Sequence, residues 1–156
     1  MIINKDDGEI NLGEILVNPK LTFSEFKKTE YFQLFKLFVG NPPWKSYVIN
    51  DIKVKLGSIK YRADLVIYFK KEKIESADFG LIEVGEDLPK WDQKTEEHKK
   101  SYYDDLLEKT LGIPPYNYSW GKVESYYDPK GCTSGILVSY QSEVPCRISA
   151  RRLKYE

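Results

Sequence analysis

Across residues 52–69 the chain alternates: Ile52, Val54 and Leu56 interleave with Lys53 and Lys55, and past Gly57-Ser58 the set Ile59, Tyr61, Ala63, Leu65, Ile67 and Phe69 interleaves with Lys60, Arg62 and Asp64. A period of two puts every second side chain on one face of a strand, so one face is oily and the other wet. A helix, with its period of 3.6, has no use for this pattern. Gly followed by Ser suits a two-residue turn whose first central position takes positive φ, so the segment predicts a hairpin. Ile52, Val54, Leu56, Tyr61, Leu65 and Ile67 are expected on its core face. Residues 70–73 make the next turn and residues 74–84 a third strand, which predicts an antiparallel meander.

The remaining segments fit around that meander. A short strand, a turn at Asp7-Gly8 and a second strand over residues 9–17 open the chain, and Asn18-Pro19 ends them. Thr22 and Glu25 have capping-box spacing and predict a first helix over about residues 23–38, stopped by Gly40-Asn41-Pro42-Pro43. Its Phe23, Phe26, Tyr31, Phe32, Phe35 and Phe38 cover more than one stripe, so either it is deeply buried or part of that surface meets a partner. A second helix is predicted over residues 92–111, with Tyr102 and Leu106 beside Tyr103, Leu107 and Leu111, and Gly112 as its cap. A last hairpin over residues 116–127 and 133–140 turns at Asp128-Pro129-Lys130-Gly131. The expected fold is α+β: an antiparallel sheet of hairpins and a meander packed with two main helices. One domain is expected over residues 1–156, with 143–156 a basic tail (Arg147, Arg151, Arg152, Lys154) of no assigned structure.

Charge excludes some function classes. Lys and Arg number 24 against 24 Asp and Glu, so the chain lacks the general pull toward nucleic acid or an anionic membrane. The global balance hides a local asymmetry: residues 44–73 hold eight basic and three acidic residues, residues 83–108 nine acidic and four basic. Either these oppositely charged elements lie side by side in the fold, or the acidic one is a docking patch. Cys132 and Cys146 have neither zinc nor redox spacing and are expected reduced. No signal-like or membrane-spanning apolar run is present, so a cytoplasmic monomer is the default expectation.

Chemistry is sparse. The single histidine, His98, lies mid-helix among charged residues and reads as a half-buried packing residue rather than a base. There is no Gly-x-Ser-x-Gly elbow, no metal-pair spacing and no phosphate loop, so no catalytic residue, metal ligand set or cofactor is expected. Glu83, Glu86, Asp87 and Asp92 leave the end of a strand together and are the one candidate acid/base or divalent-cation set. The basic hairpin with Tyr61, Tyr68 and Phe69 is a poor nucleic-acid platform, because Tyr61 and Phe69 alternate to the face opposite the lysines.

The run Tyr103-Asp104-Asp105-Leu106-Leu107, then Leu111-Gly112-Ile113-Pro114-Pro115, then residues 116–131 with Tyr118-Ser119-Trp120-Gly121 and Tyr127-Asp128-Pro129-Lys130, resembles small bacterial immunity proteins of polymorphic and contact-dependent growth-inhibition toxins. Ile10-Asn11-Leu12-Gly13 followed by the Thr22 to Glu25 helix start is similar too. The resemblance implies a cytosolic protein that binds and neutralises a cognate toxin domain by occluding its active site or substrate surface, without catalysis. It assigns no toxin-contacting residue. On charge alone, Asp87, Asp92, Glu96, Glu97, Asp104 and Glu108 are the candidates to face a basic toxin domain. A small carboxylate- or metal-dependent enzyme using Glu83, Glu86, Asp87 and Asp92, and a protein–protein adaptor, stand as alternatives.

Overall fold

The computed structural model describes residues 2–84 and 93–140. The chain runs β1 (Ile10–Leu12), β2 (Ile15–Val17), α1 (Phe23–Lys28), a 3-10 turn (Glu30–Leu34), β3 (Lys36–Val39), β4 (Trp44–Leu56), β5 (Ile59–Lys70), β6 (Lys73–Glu83), α2 (Gln93–Leu111), β7 (Tyr116–Tyr118), β8 (Gly121–Asp128) and β9 (Thr133–Ser139). Strands β1 and β2 pair alone, and the other seven form one sheet in the order β3-β4-β5-β6-β9-β8-β7, antiparallel throughout. This is the expected α+β architecture, with the meander β4-β5-β6 at its centre.

The alternation does what its period requires. Val54, Tyr61, Ala63, Leu65, Ile67 and Phe69 are buried on one face, and the register carries that face on through Phe79 and Leu81 of β6 and Ile136 and Val138 of β9. Ile52 and Leu56 pack against the same cluster at its rim. Gly57 turns the hairpin with φ +63°, the conformation a side chain resists. Ile3, Ile10, Leu12, Ile15 and Val17 join this core from the N-terminal segment, and Phe23, Phe26 and Phe35 join it from the α1 region. Phe26 is enclosed by the rings of Phe32, Phe35, Tyr47 and Phe69, each within 5.4 Å between centroids.

Three boundaries differ from the sequence expectation. The helix over residues 23–38 stops at Lys28; Thr29 and Phe35 are extended, and Lys36–Val39 becomes an edge strand on β4. Aromatic and β-branched side chains fit a pleated surface, and the neighbouring β4 supplies backbone partners that an isolated helix reading ignores. The capping box itself is formed, Glu25 N–H to Thr22 Oγ1 at 3.1 Å and Thr22 N–H to Glu25 Oε2 at 3.2 Å. The strand over residues 9–17 folds back at Gly13, φ +71°, into β1 and β2, while Asp7-Gly8 turns Ile3 onto Ile10. The first arm of the last hairpin breaks at Ser119-Trp120 into β7 and β8. There Gly121 lets the backbone pass so near Ser139 that a Cβ would stand 1.8 Å from its carbonyl oxygen. The second helix is as expected, ending where Gly112, φ +91°, bonds to the Glu108 carbonyl at 3.0 Å. The 143–156 tail and Cys146 lie outside the described residues.

Candidate functional site

The sheet has a built-in split. Pairing between β6 and β9 covers only Ser76–Phe79 against Ile136–Ser139; beyond it the two strands part. Helix α2 lies against β8 and β9 and closes the split from the core side. Its Tyr103 hydroxyl accepts the Leu81 N–H at 3.2 Å and donates to the Leu81 carbonyl at 3.4 Å, so one phenol replaces a missing strand neighbour. Burial pushes the Tyr103 phenol up to about 12.

On the other side of the sheet the split opens into a cavity of about 430 Å³. Val48, Val66 and Ile82 form an apolar floor, and Asp51, Asp64 and Asp78 stand around it. Three adjacent strands supply those carboxylates. Asp51 sits at the bulge of β4 with φ +61°, its N–H donating to Asp64 Oδ1 at 2.9 Å. Asp64 faces Gly80 and Asp78 faces Val66 in the β5–β6 register. Asp78 is buried and accepts the Tyr126 hydroxyl at 2.9 Å. Gly135 makes room for that pair: a Cβ there would stand 2.8 Å from the Tyr126 hydroxyl and 3.0 Å from Asp78 Oδ1. Two cations border the cavity. Arg62 approaches Asp51 at 3.8 Å, and Lys99 is held at 2.9 Å by Glu96 behind it.

The acidic candidates on α2 divide by burial. Glu96 is buried, accepting Ser134 Oγ at 2.6 Å as well as Lys99, so this carboxylate ties α2 to β9 and is not presented to solvent. Glu97 and Glu108 are exposed. Asp104 is exposed but bonds Lys100 at 2.9 Å and the Ser125 hydroxyl. Burial opposes its ionisation, yet those two partners outweigh it and hold the carboxyl below its usual range. Asp87 and Asp92 lie outside the described residues, as does Glu86. Glu83, the remaining member of the candidate catalytic set, is half-buried at the end of β6. His98 is exposed on α2 rather than half-buried, because its position falls off the stripe of Glu96, Tyr103 and Leu107 that packs inward. Among the described residues no three His, Cys, Asp or Glu side chains are placed to hold a metal ion. No helix among them is long and apolar enough to cross a membrane.

Sequence reasoning missed the cavity. Asp64 was legible as a wet-face residue from the alternation, whereas Asp51 depends on a bulge and Asp78 on the β5–β6 register. The molecule is thus an α+β protein with one sheet face built into the core and a split on the other lined by acids. Its fold is shared with a chain of the solved complex described as Rhs1-CT in complex with cognate immunity protein RhsI1, at a TM-score of 0.55, over 97% of this chain and 93% of that one, with 16% sequence identity. At that identity the likeness is one of fold. No family model matches the sequence, and no curated protein matches it either.

Proposed function

We propose that this chain is an immunity protein: it binds a cognate toxin domain in the cytosol and blocks it by occlusion, without chemistry of its own. The observation that supports this reading above others is the fold shared, over nearly the whole of both chains, with a complex containing a cognate immunity protein, together with the motif resemblance over residues 103–131. The docking charges proposed are Asp87, Asp92, Glu97, Asp104 and Glu108, facing a basic toxin domain. Glu96 is withdrawn from that set because its carboxylate is buried against Ser134 and Lys99. An acidic surface opposite a basic one speeds encounter and fixes orientation, with an effect that fades as salt screens it.

The test is co-expression of a candidate cognate toxin domain with and without this chain. Growth rescue and a one-to-one purified complex are expected. Rescue at a small fraction of the toxin's concentration would instead point to catalysis, and no rescue would sink the reading. Within a working pair, Glu97→Lys with Glu108→Lys is expected to slow association and flatten its salt dependence.

A further inference from the structure

Half of the exposed large hydrophobic residues among those described fall in one stretch, residues 34–44, where Leu34 is 63% and Leu37 60% exposed and Trp44 is exposed as well. The stretch runs along β3, which ends the sheet: β4 pairs with its inner side, and no described strand pairs with its outer side. Backbone donors and acceptors on an open edge are a template for one more strand. The same end of the molecule is basic. Residues 25–45 and 70–73 hold seven lysines against three glutamates, a formal +4 in a chain whose total is zero. The β5–β6 turn brings the two segments together, since the Lys71 N–H donates to the Pro43 carbonyl at 2.9 Å and the Lys70 ammonium lies 5.3 Å from the centre of the Trp44 ring. Lys27 and Lys45 each stand 4.7 Å from the centre of the Phe23 ring. Lys27, Lys36, Lys45, Lys70 and Lys71 are all exposed, and among the described residues none of them forms an ion pair. Two of the glutamates have other work: Glu25 closes the capping box and Glu72 binds Ser24.

Sign selects the occupant of this edge. A second copy pairing edge to edge would set Lys36 and its neighbours against the same lysines, and like charges across paired strands repel. An acidic partner gains from the same field. A nucleic acid meets the lysines but brings no row of N–H and C=O groups in strand spacing, and an anionic lipid surface takes up Leu34 and Leu37 but leaves the backbone edge without partners. An extended acidic peptide answers the charge, the apolar side chains and the open edge together. We infer that the outer edge of β3 receives an extended acidic segment of a protein partner, added as a further strand whose carboxylates meet the lysines and whose apolar side chains cover Leu37. This surface lies at the opposite end of the strand order from β8 and β9, on which α2 packs, and the inference goes beyond the immunity reading without resting on it.

The probe is the peptide acetyl-Glu-Val-Glu-Val-Glu-Val-Glu-amide, titrated into the full chain and followed by backbone amide NMR. Shifts concentrated at residues 36–39 are expected, with slower hydrogen exchange there. A copy with Gln in place of every Glu, and another N-methylated at every residue, should each bind at least roughly tenfold more weakly, the first for want of charge and the second for want of backbone donors. Lys27→Gln with Lys36→Gln changes two exposed side chains outside any described ion pair, so the variant should keep the wild-type spectrum elsewhere and bind the peptide roughly fivefold more weakly or worse. Equal binding by either control peptide, undiminished binding by the variant, shifts centred away from β3, or no binding would overturn the inference. Tighter binding at the same residues by a short oligothymidylate or by phosphatidylserine vesicles would overturn it in favour of a nucleic acid or a membrane. Dimerisation of the chain alone through β3, read by sedimentation, would overturn it in favour of a second copy.

Discussion

Tyr103 meets Leu81 through a single phenol oxygen that accepts the Leu81 N–H at 3.2 Å and lies 3.4 Å from the Leu81 carbonyl oxygen, sealing the sheet where β6 loses its strand neighbour. Removing that oxygen without removing the ring isolates its contribution. Tyr103→Phe should destabilise the protein by about 1–3 kcal/mol, because a buried backbone N–H is left without a partner. Denaturant unfolding checks the magnitude, and faster hydrogen exchange at the Leu81 amide checks the cause.

The same phenol predicts an alkaline limit. Burial raises Tyr103 to about 12 from an ordinary value of 10.0, so the folded state holds this proton more tightly than the unfolded chain. Its contribution is complete below the unfolded value and is lost as pH rises from there through about 12. Stability measured across that window should fall less steeply in Tyr103→Phe than in wild type.

Glu96 and Glu97 are neighbours of opposite burial. Glu96→Gln keeps the shape but loses the charge that holds Ser134 and Lys99, and should cost about 1–3 kcal/mol in thermal or denaturant unfolding. Glu97→Lys, on the exposed side of α2, should change stability by no more than about 0.5 kcal/mol. On the immunity reading proposed above, a toxin-binding assay on both then separates folding from docking.

Gly8 lies under the Trp120 ring, where a Cβ would stand 2.6 Å from two ring carbons, and its φ of +77° is one that side chains avoid. Trp120 also donates its indole N–H to the Lys5 carbonyl at 2.8 Å and stacks on Tyr118 with centroids 5.0 Å apart. Gly8→Ala should therefore push the N-terminal segment off the ring, costing about 1–3 kcal/mol. Loss of the Tyr118–Trp120 aromatic circular-dichroism signal would be its signature.

Glu72, in the β5–β6 turn, accepts the N–H of Ser24 at 2.9 Å and its hydroxyl at 2.7 Å, at the start of α1. These bonds lower its pKa, so the tie is present above the ordinary carboxylate range and is lost as pH falls through the depressed value. Acid-induced loosening of α1, followed by exchange at the Ser24 amide, should be largely absent as a pH effect in Glu72→Gln, which is loosened at every pH.

Local periodicity made the centre of this fold legible in the sequence. The hairpin β4–β5 follows from strict alternation over residues 52–69 and a Gly-Ser turn, and α2 follows from its stripe and its Gly112 cap, because each signal is complete within one segment. The fate of residues 29–39 was not legible. Tyr31, Phe32 and Phe35 satisfy a helical stripe as well as they satisfy a hydrophobic cluster, and only the unpaired edge of β4 and the rings around Phe26 decided for a 3-10 turn followed by an edge strand. The cavity was hidden for a similar reason. Asp51, Asp64 and Asp78 are scattered in sequence and meet only because a bulge in β4 and the β5–β6 register bring them to one face. The sequence by itself determined which residues alternate, where the chain turns and that one sheet face must be buried. Tertiary structure alone decided which carboxylates point inward, as Glu96 does, and which gather at a split, since those outcomes depend on pairing between strands distant along the chain.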